Sequence, residues 1–295
     1  MQGYRPYIDG LRAVAILSVL VYHAVKDLAP GGFVGVDVFF VISGFLISGI
    51  VLRGTNFGTF SFVDFYCGRT RRILPALIVV LATTWAIGWS VLGSEEYLAL
   101  GRQISAAAVF ASNLVLMHDG GYFAPSADVN PLLHLWSLSI EEQFYLVWPI
   151  TLVLARKARL NTVAVIAVSC IASFAVTVSG GGKSDPTVFF SPITRSWELA
   201  RGALLASAEI GSQRLLDAML GTPVRGQWPQ PFAVDIRDLV AGLGFGALIA
   251  SIVLVRDSWS YPSWITVLPT GGAALLLGAG DRAWVTRAPR RHNAG

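Results

Sequence analysis

Apolar residues recur along this chain in long runs, separated by short stretches that are basic or rich in glycine and proline. The runs fall at residues 11–24, 32–52, 73–92, 136–155, 162–178, 193–208, 239–255 and 264–278. Several approach the roughly 20 residues that a helix needs to cross the hydrocarbon core of a bilayer. A further run, 104–117, is shorter. The pattern predicts an all-α fold, a polytopic transmembrane helix bundle of about eight spans plus one short re-entrant or interfacial apolar segment.

Charge decides how that short run is treated. With eight spans and an irregular 104–117, Arg53, Arg69, Arg71, Arg72, Arg156, Lys157 and Arg159 share one side. Arg214, Arg225, Arg237 and the tail arginines Arg282, Arg287, Arg290 and Arg291 fall there too. The other side keeps Lys26, Arg102, Lys183 and Arg256, beside Glu95 and Glu96. Such asymmetry predicts both termini on the cytoplasmic face. A fully spanning 104–117 inverts every later loop and weakens it.

Composition agrees with the membrane reading: 54% of residues are hydrophobic and 14% charged, with a mean hydropathy of +0.60. A soluble chain of this length does not carry so many long apolar runs. The net charge of +4 does not imply nucleic acid, because the basic residues cluster between apolar runs. Cys67 and Cys170 show neither metal-ligand spacing nor a disulfide framework, and no metal is expected. No small-residue cleavage site clearly follows the first run, so no cleavable signal is expected. The stretches 180–186 and 221–231 read as loops, and no inverted repeat is evident.

Few polar residues interrupt the spans. His23 sits inside the first run, eleven positions after Arg12. Eleven residues make almost three helical turns, which sets the two on nearly one face, about 16 Å apart. An ionisable group deep in lipid is costly and marks a functional site by default. Asp37 lies early in the second span, and Glu141 and Glu142 lie inside 136–155, which His134 precedes. An imidazole whose tautomer is fixed by a carboxylate is a usual general base; spacing does not say which carboxylate reaches His23.

Arg69, Arg71 and Arg72 form a basic loop before the third span. Guanidinium forks suit phosphate. They would hold the phosphates of a nucleotide-bearing donor while a thin acyl-pantetheine arm threads from Arg12 towards His23.

Each feature has a structural counter-reading. The counter-reading of His23 is a core histidine bonded to a neighbouring helix, which a place inside the bilayer disfavours, and that of the arginines is topology alone. Asp37 reads as a residue at the aqueous end of its helix. Arg195, Glu198 and Arg201 share a face and read as an ion-pair network. Ser43-Gly44 reads as a close-packing point, and Trp85, Trp89, Trp136 and Trp148 as interface anchors.

These elements occur in an order that resembles the acyltransferase 3 membrane family. Tyr7-Ile8-Asp9-Gly10-Leu11-Arg12 with His23 is similar to the family's opening. Gly35-Val36-Asp37-Val38-Phe39-Phe40 lies in a second motif, Arg69 to Pro75 in a third, and His134-Leu135-Trp136-Ser137-Leu138-Ser139-Ile140-Glu141-Glu142-Gln143-Phe144-Tyr145 in a fourth. Ser196-Trp197-Glu198-Leu199-Ala200-Arg201-Gly202 resembles a weaker fifth.

The resemblance implies a bacterial O-acyltransferase of the cytoplasmic membrane. It would transfer an acyl group, in the main acetyl from acetyl-CoA, to a hydroxyl of a cell-envelope carbohydrate or glycosylated acceptor. No cofactor would be permanently bound; acetyl-CoA would be a substrate. Residues matching Arg12 and His23 are essential in that family, and those matching Arg69 and Arg72 important. Glu141 falls on its acidic position.

The expected machinery is therefore His23 as base or acyl carrier, Asp37 or Glu141 orienting it, and Arg12, Arg69, Arg71 and Arg72 on the donor. The resemblance covers residues 4–280. The family's closing helices find no counterpart after Trp284-Val285-Thr286-Arg287, so the expected domain is 1–280 without them, with a basic cytoplasmic tail over 281–295. A transporter or flippase, and a truncated non-catalytic member, are the competing expectations.

Overall fold

The computed structural model describes residues 5–118, 122–123, 130–180, 185–220, 223–224, 234–280, 283 and 286. The expected tail over 281–295, residues 283 and 286 excepted, and most of the two expected loops lie outside them. The fold is a series of helices: α1 (Pro6–Ala24), α2 (Gly35–Asn56), α3 (Phe62–Val91), α4 (Ser94–Ala108), α5 (Ser112–Leu116), α6 (Leu135–Lys157), α7 (Thr162–Ser179), α8 (Pro186–Phe190), α9 (Pro192–Leu220), α10 (Ile236–Leu254) and α11 (Val267–Ala279). Short 3₁₀ turns, Gly32–Val34 and Trp264–Thr266, lead into α2 and α11. Two-residue strands Pro223–Val224 and Val234–Asp235 pair antiparallel.

Five helical stretches are long and apolar enough to cross a membrane: Pro6–Ala24, Gly32–Asn56, Phe62–Val91, Thr162–Ser179 and Ile236–Leu254. The helix over Trp264–Ala279 is apolar but shorter. α6 and α9 have the length but carry charges within it, among them Glu141, Glu142, Glu198 and Arg201.

Three boundaries depart from the sequence pattern. α1 begins at Pro6, where proline's missing N–H costs nothing, and it ends at Ala24, so His23 stands in its last turn rather than deep within it. α3 begins at Phe62, so the expected basic loop is helical. Ser61 caps it by accepting from the Asp64 N–H at 3.2 Å; the apolar pattern tracks only the part of the helix beyond the arginines. The run 104–117 breaks between α4 and α5, where Phe110 adopts a left-handed φ of 54°. Neither piece is long enough to cross a bilayer by itself.

Two compact units divide the chain. The first comprises residues 1–49, 198–259 and 263–295. Its core gathers Ile8, Leu11 and Ala15 from α1, Val38, Val41, Ile42 and Phe45 from α2, Ala206 from α9, Leu248 from α10 and Leu276 from α11. α2 is the innermost helix: 78% of its span is buried, against 11% for α3.

Close approach in this unit requires glycine. A Cβ on Gly44 would stand 1.8 Å from the Leu199 carbonyl oxygen, and one on Gly202 would stand 2.0 Å from that of Val41. Gly44→Ala should therefore push α2 from α9 and cost about 1–3 kcal/mol or more. A thermal melt in detergent checks this, and an unchanged midpoint would refute it.

The second unit comprises residues 50–197 and 260–262. Leu77 and Leu81 of α3, Leu100 and Ala107 of α4, and Leu132 and Leu135 build one apolar cluster. α7 meets the start of α9 through hydroxyls. Ser173 donates to the Ile193 carbonyl at 2.5 Å and accepts the Trp197 N–H at 2.9 Å. It thus occupies both ends of one rung of the α9 hydrogen-bond ladder.

Trp136 and Trp148 are not interface anchors. Both are buried, Trp136 among Tyr122, Phe189 and Phe190, and Trp148 stacked on Phe144. Trp85 and Trp89 are exposed on α3, as an anchor requires.

Candidate active site

In the first unit, the paired helices α1 and α2 carry Arg12, His23 and Asp37. Ser18 holds them together, donating to the Gly32 carbonyl at 3.1 Å. Tyr22 and Phe33 meet edge to face at 5.3 Å. The backbone at Gly35 lies so close to Ala15 and Ser18 that a side chain there would clash. These contacts set the first turn of α2, with Asp37 fully buried, against the second half of α1. The expectation of Asp37 at an aqueous helix end does not hold.

His23 is exposed in the last turn of α1, and its Nδ1 lies 2.9 Å from the Val19 carbonyl oxygen. A carbonyl only accepts, so in the neutral ring Nδ1 carries the proton and Nε2 is the basic nitrogen. This backbone group four residues back meets the ring at Nδ1. Tyr22 packs edge-on to the imidazole at 5.2 Å.

Arg12 lies in the second turn of α1. Its Nη1 is 3.9 Å from Asp9, a loose pair, and its Nε is buried with no hydrogen-bond partner among the described residues. Arg5 is tied down: it forms a bidentate pair with Glu209 of α9, at 2.5 and 3.2 Å. That hydrogen-bonded pair holds the Arg5 guanidinium above its ordinary pKa despite partial burial.

In the second unit, α3 and α6 bring Arg69 to the acidic motif. Arg69 donates to Glu142 at 2.7 Å, and its guanidinium stacks 3.8 Å above the Tyr145 ring. Tyr145 in turn donates to Glu141 at 3.1 Å. Glu142 and Tyr145 were not singled out for these roles by the sequence reading, although they sit three residues apart on one helix face. Arg71 and Arg72 lie exposed on the same helix and form no ion pair among the described residues.

Gln143 is a further residue that spacing did not flag. It donates to the Phe110 carbonyl at 2.8 Å and to Asn113 at 2.9 Å, while Asn113 donates to the Phe190 carbonyl at 3.1 Å. The amide pair thereby satisfies the carbonyl released where α4 breaks from α5, a group too costly to leave bare in an apolar setting.

The expected ion-pair face on α9 is divided in its contacts. Arg195 is buried, with the rings of Trp136, Phe189 and Tyr261 at 5.5–5.9 Å. Arg201 donates to the Thr270 hydroxyl of α11 at 2.6 Å. Among the described residues no cluster of His, Cys, Asp and Glu is placed to hold a metal ion.

The sequence matches the family described as an acyltransferase domain over residues 5–291. It is 40% identical over 211 residues to YrhL of Bacillus subtilis, named as a candidate peptidoglycan O-acetyltransferase, covering 69% of this chain and 33% of that protein. It is 36% identical to the peptidoglycan O-acetyltransferase OatA of Listeria monocytogenes, covering 69% of this chain and 34% of that protein. A Staphylococcus aureus protein named as a candidate O-acetyltransferase is 33% identical over 272 residues, covering 88% and 42%. The chain thus spans about a third to two-fifths of the length of these relatives. No solved structure matches the chain. The extent of the family match, together with helices long and apolar enough to cross a bilayer, establishes an integral membrane protein of the acyltransferase 3 family.

Proposed function

We propose that the chain moves an acetyl group from acetyl-CoA to a hydroxyl of a cell-envelope carbohydrate, peptidoglycan in the first instance. The relatives' names support acetyl transfer to peptidoglycan over transport. The observation that carries the chemistry is the Nδ1 contact of His23 with the Val19 carbonyl. It leaves Nε2 as the base that takes the acceptor's hydroxyl proton. The resulting alkoxide attacks the thioester carbonyl, the C–S bond breaks, and CoA leaves as the thiolate. The imidazolium then returns the proton to the sulfur. Direct transfer needs no acyl-enzyme, and an acyl-imidazole trapped by rapid quench would overturn that route.

On this reading the donor comes from the cytoplasm, where the asymmetry of basic residues puts the N-terminus of a protein in the bacterial inner membrane. The exposed Arg71 and Arg72 of the second unit are the groups this reading assigns to the donor's phosphates; in the first unit the Arg12 Nε, buried and without a hydrogen-bond partner among the described residues, is a further candidate to meet the donor. Arg69 already serves Glu142, so its part in donor binding is shared with that pair. Purified protein given labelled acetyl-CoA and peptidoglycan tests the reading: acetate esters should accumulate on the glycan. Arg71→Ala should weaken CoA binding about tenfold, the order expected for a hydrogen bond to a charged group. Unchanged affinity would return Arg71 to topology alone.

A further inference from the structure

Past its last turn, α1 runs into a short connection that meets the end of α10. Lys26, Asp27 and Pro30 from the connection, with Arg256 and Asp257 from beyond α10, line an open pocket of about 350 Å³. That volume lies at the small end of the range for ligand sites, roughly 300–1,000 Å³.

One aromatic ring, that of Tyr22, links the pocket's lining to the base. Lys26 Nζ lies 5.5 Å from the centre of the Tyr22 ring, and that ring packs edge-on to His23 at 5.2 Å. Lys26 is fixed by an ion pair to Asp257 at 2.5 Å, and that hydrogen bond holds its ammonium above the ordinary lysine pKa. Asp27 and Arg256 are exposed and join no ion pair among the described residues.

The lining presents two cations and two carboxylates, so its charge is balanced. A phosphate would want an excess of cations, and an apolar ligand would strip four charged groups of water without return. A hydroxyl-rich molecule suits it, because each hydroxyl both donates and accepts. We propose that this pocket seats a sugar unit of the acceptor glycan, one aromatic ring away from His23, with Asp27 accepting from its hydroxyls and Arg256 donating to its oxygens. The proposal rests on the acyl-transfer reading above and adds the acceptor's place within it.

The test is calorimetric binding of the tetrasaccharide of β-1,4-linked N-acetylglucosamine to the purified full chain. Asp27→Ala and Arg256→Ala should each raise its Kd about tenfold and leave CoA affinity and the melting midpoint unchanged, both residues being exposed. Wild-type affinity in both variants, or no binding to the wild type, would overturn the proposal. Binding that depends on these residues in a protein that never consumes acetyl-CoA would sink the transfer reading while supporting the pocket. Acetyl transfer with a glycan affinity indifferent to both variants would sink the pocket alone.

Discussion

His23→Ala should lower acetyl transfer by about 10²–10⁴-fold, the range general-base catalysis supplies, while the protein melts as the wild type does. The first half follows from the ring's electronics. With Nδ1 turned to the Val19 carbonyl, the basic lone pair sits on Nε2, and alanine offers no replacement. The second half follows from location. His23 is exposed in a helix's last turn, and its Nδ1 bond closes within its own helix, a setting where substitutions usually stay within about 0.5 kcal/mol. Initial rates with labelled acetyl-CoA, taken beside a melting curve, measure both. Transfer in the variant above a tenth of the wild-type rate would remove His23 from the reaction. His23→Asn keeps a donor for Val19 but no comparable base, so its rate should fall as far.

Arg69→Ala is expected to destabilise the second unit by about 1–3 kcal/mol, the cost of leaving one partner of a part-buried, charge-assisted hydrogen bond unsatisfied. Both side chains are mostly shielded, 17% exposed for Arg69 and 15% for Glu142. Alanine leaves Glu142 without its cation and Tyr145 without the guanidinium stacked on it, a contact worth roughly 0.5–2 kcal/mol. Arg69→Met combined with Glu142→Gln should restore most of the midpoint, because two neutral groups need no mutual compensation. That double variant also separates scaffold from binding. If it melts normally but its KM for acetyl-CoA rises about tenfold, Arg69 touches the donor's phosphates. An unchanged KM would confine Arg69 to holding α3 against α6, and a midpoint unchanged by Arg69→Ala would show the pair to be dispensable.

Some of this was legible in the residues. The apolar runs locate α2, α7, α10 and the 264–279 helix closely, since each is flanked by residues that end helices or prefer water. The start of α3 was signalled by Ser61 followed three residues later by Asp64, but the arginines and Gly68 mask the apolar period there. The same loss of period moved the expected start of α1 past Pro6. The break at Phe110 was hinted at by shortness alone. What holds it, the Asn113–Gln143 pair, joins residues 30 positions apart, a separation no local pattern reports.

The sequence by itself determined that the chain is a helical membrane protein, which motifs it carries, and that His23, Arg12, Asp37, Arg69, Glu141 and Glu142 are its unusual polar groups. Only tertiary structure decided which way each residue faces. Lipid tails are as apolar as leucine, so hydrophobicity cannot tell a core position from a lipid-facing one. Trp136 and Trp89 look alike in sequence, yet one is buried among rings and the other is exposed. Partnership follows the same rule: whether Arg69 serves Glu142 or a phosphate, and whether Val19 or a carboxylate sets the imidazole, depends on distances of a few ångströms. Those distances are set by helix packing, not by the order of residues along a single helix.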